Sequence, residues 1–274
     1  RKLQAAHLSG QRTFSDFGKA LPAVCHTPSC RLYSITEVRQ MTIPDATEIV
    51  AELERLLPDW KEMEPGRWQR VEYALRAAEG DGPVFPTFES FIEWVDEDTS
   101  AEWVEGKVYF MSPASLRHQL IAGFLYKIID AYVEHHRLGV TLNAPFKMKL
   151  PGYGAEPDVL VVLNENSGRL RPTYLNGPAD LVVEVISPDS VERDRVKKYG
   201  DYEAAGVNEY WLIDPEQRTA EFYRLSGGRY AAVEPDADGW VASAVLPGFR
   251  LRAAWLFQNP LPKLLDVLAD LKIL

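Results

Sequence analysis

"LVVEVISP", Leu181 to Pro188, decides how this chain is expected to fold. Leu181, Val183 and Val185 alternate with Val182, Glu184 and Ile186, and a single acid interrupts two apolar faces. A strand apolar on both faces belongs inside a covered sheet. A lone carboxylate there is costly unless it is paired, protonated or bound to a cation. Upstream, "EPDVLVVL" (Glu156–Leu163) sets Asp158 at the head of a second apolar run. Pro157 removes one ladder donor, which fits a strand start or edge. Asp158 is therefore expected at a strand mouth, where water and substrate enter.

Two acids in neighbouring apolar strands form a pattern that one acid does not. Hard oxygen ligands suit Mg2+ or Mn2+, and Mg2+ often takes only one or two carboxylates plus water and phosphate. The competing reading pairs each acid with an arginine or a loop. A nuclease pattern of an acid, then acid-x-Lys, would want lysine at position 186, and Ile186 stands there. Beyond it, "ERDRVKKYGDY" holds Asp194 and Lys198, four apart and on one helix face. Lys198 on that helix has the reach to return to Glu184. A solvated face of Lys197 and Lys198 is the equal alternative.

Further out, the segments order themselves. "PDATEIVAELERLLPDW" reads as a helix, with Asp45 and Glu48 as a capping box and Ile49, Leu53, Leu56 and Leu57 as its stripe; Pro58 ends it. Residues 67–80 offer a second helix, and "DGPVFP" a linker. "TFESFIEWVDED" is a short helix capped by Thr87, with Phe88, Phe91, Ile92 and Val95 inward. Two strands turn at Glu105-Gly106. A long helix spans Leu116 to Leu138, with Leu120, Phe124, Ile128 and Ile129 on its core side and Gly139 as cap. "VTLNAPFKMKL" reads as a strand followed by the turn "PGYG". A helix from Ser187 to Gly206, a hairpin turning at Asp214-Pro215 and a helix from Leu261 to Leu271 complete the order. The expected fold is mixed α/β (α+β), a central mixed sheet flanked by helices with an N-terminal helical extension. The expected division is residues 1–40 as a poorly structured leader, 41–85 as the helical extension and 86–274 as the main domain, with Met41 read as a natural start.

Composition excludes some classes. Net charge is −10, which argues against broad adhesion to nucleic acid or anionic membrane, so any nucleic-acid site must be a local basic groove. No apolar run approaches the ~20 residues of a membrane span, and no secretory h-region is present. A cytoplasmic location is expected. Cys25 and Cys30, with His26 between them, lack the further ligands of a zinc site and read as reduced thiols.

The block from "EPDVLVV" through "PADLVVEVISPDSVERDRVKKYGDYEAAGVNEYWLIDPEQRTAEFYRL" closely resembles the Uma-type family of restriction-endonuclease-like proteins, within the PD-(D/E)XK nuclease superfamily. "AEWVEGKVYFMSPASLRHQLIAGFLYKIIDAYVEHH" and "VLPGFRL" resemble that family's hairpin, Met-Ser-Pro segment, His-bearing helix and late segment, so the likeness runs over about residues 86–257. It implies a restriction-endonuclease-like sheet. It also implies that Asp158 and Glu184 are the paired acids, that Lys198 is the displaced lysine with Asp194 beside it, that Glu102 is an extra ligand or orients metal-bound water, and that His118 is the family's helix histidine, read as a proton relay at the cleft or equally as a partly buried, hydrogen-bonded residue near the helix start. The superfamily adds the carbonyl of Val185 as a metal ligand, with Mg2+ or Mn2+ as the ion. Glu156 stands where relatives often have Gln and is given no role.

The expected activity is metal-dependent hydrolysis of phosphodiester bonds, in DNA before RNA. Arg117, Arg193, Arg195 and Lys197 are the local basic groups expected to touch substrate. A nuclease-fold module that binds without cleaving is the alternative. The helices of residues 45–80 would suit a homodimer contact or ordinary packing equally. His135 and His136 read as helix-end charges. Ser187 before Pro188 reads as a strand-end cap, since no G-x-S-x-G elbow surrounds it.

Overall fold

The computed structural model describes residues 46–58, 71, 84–96, 99–187, 190 and 193–273. The leader, Cys25, His26, Cys30, Met41, the Asp45 cap and nearly all of the second helix lie outside the described residues. The first described helix, α1 (Ala46–Leu56), buries Val50, while Leu56 and Leu57 are exposed. Its buried position thus falls outside the stripe read from the sequence.

Two sheets share the core between them. The larger has the order β11-β10-β9-β8-β6-β3. Its strands are β3 (Gly139–Asn143), β6 (Val159–Leu163), β8 (Leu181–Val185), β9 (Glu209–Asp214), β10 (Thr219–Ser226) and β11 (Arg229–Ala232). β8 is an interior strand, antiparallel to β6 and parallel to β9. Every residue of β8 is buried, as its two apolar faces require. The smaller sheet has the order β2-β1-β5-β4-β7, from β1 (Ala101–Val104), β2 (Lys107–Phe110), β4 (Lys147–Leu150), β5 (Tyr153–Ala155) and β7 (Tyr174–Asn176). A third pair, β12 (Trp240–Ala242) and β13 (Arg250–Arg252), is antiparallel. This is the mixed α/β arrangement, mixed sheets flanked by helices, that the strand pattern predicts.

Alternation along β8 assigns each face a partner. Leu181, Val183 and Val185 join Val159, Val161 and Trp211 against Ile121, Leu125, Ile128 and Ile129. Those four lie on α3 (Leu116–His136). Val182, Ile186, Leu160 and Leu212 face Met148, Leu150, Tyr153 and Ala155 of the smaller sheet, together with Tyr202. The smaller sheet's own outer cluster is Phe88, Phe91, Trp103 and Val108 under α2 (Phe88–Trp94). Thr87 caps α2 reciprocally with Ser90, so the capping reading holds.

Several sequence expectations are corrected. Leu120 on α3 is 49% exposed, and Ile121 and Leu125 are the inward residues. The helix ends at His136 with Arg137 in the left-handed conformation, so Gly139 is not its cap. Gly139 instead opens β3 against β6, where a Cβ would lie 2.1 Å from the Val162 carbonyl oxygen. Only glycine permits that approach. The run "VTLNAPFKMKL" is two strands in different sheets, because the chain leaves β3 at Ala144-Pro145 and enters β4. The hairpin turn at Glu105-Gly106 forms as read, with positive φ at both residues. The C-terminal helix, α5, spans only Leu264–Asp270.

The segment after β8 decides the site. Described residues resume as one wide π-type turn, Arg193–Lys198, which runs into α4 (Tyr199–Ala205) and ends at Gly206. It forms the crossover between parallel β8 and β9, and such a crossover must pack on the sheet face. Lys198 is thereby carried back over the strand that bears Glu184. No helix among the described residues is long and apolar enough to cross a membrane.

Candidate functional site

A cavity of 610 Å3 opens where β6 begins and β8 ends. His118, Glu156, Asp158, Glu184, Val185, Arg193, Asp194 and Lys198 line it, with Ser112 and Pro113 of the link between β2 and α3 on its rim. The β6–β8 register pairs Val159 with Val183. Continued by one residue, it sets Asp158 opposite Glu184. Facing residues of antiparallel strands point to one side, which is why both acids reach one cavity.

Asp158 is fixed from two directions. The Val185 N–H donates to its Oδ2 at 2.7 Å, and His118 Nε2 lies 3.2 Å from the same oxygen. Burial opposes charge on His118, but Asp158 beside it outweighs that and raises its pKa above the ordinary value. The Nδ1 atom of His118 is buried with no hydrogen-bond partner. His118 occupies the third position of the helix that Ser115 caps, which explains how a histidine reaches the sheet end.

Glu184 lies deeper. Lys198 Nζ stands 2.9 Å from its Oε1, and the Tyr202 hydroxyl donates to that oxygen at 2.7 Å. Lys198 also lies 3.1 Å from Glu102 Oε1 and 3.3 Å from Asp194 Oδ1. The lysine side chain is only 2% exposed. Three carboxylates thus surround one ammonium. Burial pulls the Lys198 pKa down, yet Glu102 and Glu184 dominate and hold it well above the ordinary value. For Glu184, burial is the largest cause; Lys198 opposes it, and Asp194, Asp158 and Glu102 add to it, so its pKa stands well above the usual range. Negative charge exceeds positive charge here.

The remaining acids and bases sort clearly. Glu102 Oε2 is buried without a hydrogen bond, with Arg193 Nε 3.6 Å away. Glu156 is buried and already partnered by Lys147 and by Ser100 Oγ. Its charge is matched by that of Lys147. Of the four basic residues expected at substrate, only Arg193 lines the cavity. Arg117 donates to the Leu256 carbonyl at 2.6 Å. Arg195 is held by Asp214 and Glu221. Lys197 pairs with Asp201 at 2.8 Å and lies 5.0 Å from the Tyr153 ring centre. The Ser187 N–H donates to Ser190 Oγ at 3.0 Å, so the hydroxyl that closes this strand end is that of Ser190.

Tyr202 and Ser190 are missing from the sequence reading. Both were within reach of it, because Ser190, Asp194, Lys198 and Tyr202 recur at steps of four along one helix face. Lys147 could not be found that way, since its partner Glu156 lies just past β5 and faces it across the β4–β5 hairpin.

The donors fit a hard divalent cation that keeps much of its water. Asp158 and Glu184 face one cavity, and both contacts to Glu184 fall on Oε1. No group of three His, Cys, Asp or Glu side chains forms a metal cage among the described residues. Two carboxylates with a backbone carbonyl suit an ion that completes its shell with water and phosphate.

The comparisons with known proteins agree with this architecture. No curated protein matches the chain. The fold is similar to the crystal structure of a "putative nuclease belonging to DUF820" from Anabaena variabilis ATCC 29413. That likeness has a TM-score of 0.53 and 21% identity, and covers 62% of this chain and 97% of the other. The family Uma2, described as "Putative restriction endonuclease", matches residues 88–254, which span β1 through β13 and therefore both sheets and the whole cavity wall built on them. The chain belongs to the Uma2 family.

Proposed function

We propose that the protein is a divalent-cation-dependent endonuclease that hydrolyses phosphodiester bonds in DNA. The observation that carries this reading is the meeting of Asp158, Glu184 and Lys198 at one cavity, with the lysine supplied by the crossover after β8. The family's description as a restriction endonuclease favours DNA over RNA. Asp158, Glu184 and the Val185 carbonyl would hold Mg2+ or Mn2+. When bound, such an ion supplies Lewis acidity toward a phosphoryl oxygen and makes water more acidic.

The chain's own groups divide the remaining work. The Val185 N–H and His118 hold Asp158 in one orientation. Lys198 stays protonated at neutral pH, so it is a donor rather than a proton acceptor. It orients the attacking water and offsets charge that develops on the phosphate. Glu102, Asp194 and the Tyr202 hydroxyl keep the Lys198–Glu184 pair from swinging away. Arg193, at the cavity wall, is the side chain placed to contact a phosphate oxygen.

The test is cleavage of single- and double-stranded DNA with Mg2+ or Mn2+, comparing wild type with Asp158→Ala and Glu184→Ala. Both variants should lose cleavage. Activity that survives both would sink the site. An absence of cleavage together with no Mn2+ binding would favour a nuclease-fold binding module.

A further inference from the structure

The cavity supplies one arginine, yet a nucleic acid presents a run of phosphates. A protein of net charge −10 needs a local surface to hold that run. Arg195 and Lys197 are committed to acids and do not provide it. A different set of arginines converges on the short segment Ala253–Phe257, which follows β13 directly.

Arg117, next to the cavity residue His118, donates to the Leu256 carbonyl. Arg218, in the turn between β9 and β10, has its guanidinium 5.9 Å from the Phe257 ring centre. On the other side, Trp240 meets Trp255 edge-on at 5.1 Å. The Trp240 ring carries two guanidiniums, Arg250 at 4.2 Å and Arg252 at 4.6 Å. The β12–β13 register explains the pair, since Trp240 stands opposite Arg252 and Arg250 lies two residues away on the same side. None of these four arginines forms an ion pair among the described residues, whereas Arg193, Arg195, Arg224 and Arg229 all do. The Nε of Arg252 is buried with no hydrogen-bond partner.

We infer that Arg117, Arg218, Arg252 and Arg250 form a phosphate-tracking strip that leads nucleic acid from the Trp240 platform to the cavity. The inference rests on the nuclease reading for its direction, not for its chemistry. A guanidinium stacked on an aromatic face is held flat at little entropic cost and keeps its N–H edge outward. Two such groups on one ring offer donors at a fixed spacing, which suits successive backbone phosphates rather than base edges. Binding through the strip is therefore sequence-independent and sensitive to salt.

The experiment is fluorescence anisotropy of a labelled DNA duplex with the full chain, across a range of salt concentrations. Arg250→Glu/Arg252→Glu should raise Kd by about 10-fold or more and lower the slope of log K against log salt by about 2, the value for two lost phosphate contacts. Lys127→Glu/Arg171→Glu makes the same change in net charge away from the strip and should leave both quantities near wild type. Arg218→Glu alone is the second probe, should the double variant fail to fold, and should weaken binding several-fold. Equal loss from the strip and control variants would overturn the inference, because net charge alone would then explain it. Unchanged Kd in the strip variants, or no wild-type binding at low salt, would also overturn it. Strip-dependent binding by a wild type that cleaves no DNA would uphold the strip and remove the nuclease reading instead.

Discussion

Lys198 Nζ lies 2.9 Å from Glu184 Oε1, joining a wide helical turn to the middle of an interior strand. The position two residues beyond Glu184 is occupied by Ile186, which packs with Val182 and Leu212 in the core between the sheets. The crossover carries the charge that the strand does not. A π-type turn widens the helix at this point, a feature often associated with functional sites.

Loss of the lysine leaves three buried acids uncompensated. Lys198→Met should destabilise the fold by about 3–5 kcal/mol at neutral pH. The cost grows with pH. Glu184 already titrates well above its ordinary value, and losing Lys198 raises it further. The variant's folded state then holds protons that the unfolded chain releases above about pH 4.5, so stability falls as pH rises through that window. Denaturant melts at pH 5 and pH 8 check this; an equal loss at both would refute it.

His118 acts through Asp158. His118→Asn should reduce Mn2+ affinity or turnover by about 10–100-fold, the usual cost of losing a group that orients a ligand. Its folded pKa is raised, so the stability it contributes is present below pH 6.5 and is lost as pH rises through the folded value. The variant should therefore be destabilised at pH 6 and nearly unaffected at pH 9. Chemical denaturation at the two pH values measures the difference.

The Tyr202 hydroxyl is a buried donor to Glu184. Tyr202→Phe keeps the ring and its packing but leaves the carboxylate oxygen to Lys198 alone. A loss of about 1–3 kcal/mol is expected from thermal melting, with the secondary structure unchanged by circular dichroism.

Gly139 tests the strand contact far from the chemistry. Gly139→Ala places a methyl carbon 2.1 Å from the Val162 oxygen, so β3 must move off β6. The expected cost is about 3 kcal/mol, the upper part of the range for overpacking. A neutral result would mean that β3 is not held against β6 at this point.

Much of this protein was legible in its residue pattern. Alternation in "LVVEVISP" and "EPDVLVVL" located the interior strands, and Thr87, Glu105-Gly106 and Gly206 marked their neighbours' ends, because capping and turn chemistry is local. Other features escaped for reasons of distance. Leu120 belongs to the apolar period of α3 yet faces out, since the sheet meets the helix along the row of Ile121, Leu125 and Ile128.

The sequence by itself determined which acids lie in the apolar strands, and that the residue two beyond Glu184 is Ile186, so a cation beside them had to come from elsewhere in the chain. Periodicity acts over a few residues and needs no partner. Only the tertiary structure decided which charges meet. Antiparallel register set Asp158 opposite Glu184, and the parallel crossover laid Lys198 over both Glu184 and Glu102. The same packing turned Arg195 toward Asp214. Charges at these sites interact through space, and their spacing in the chain carries no record of that geometry.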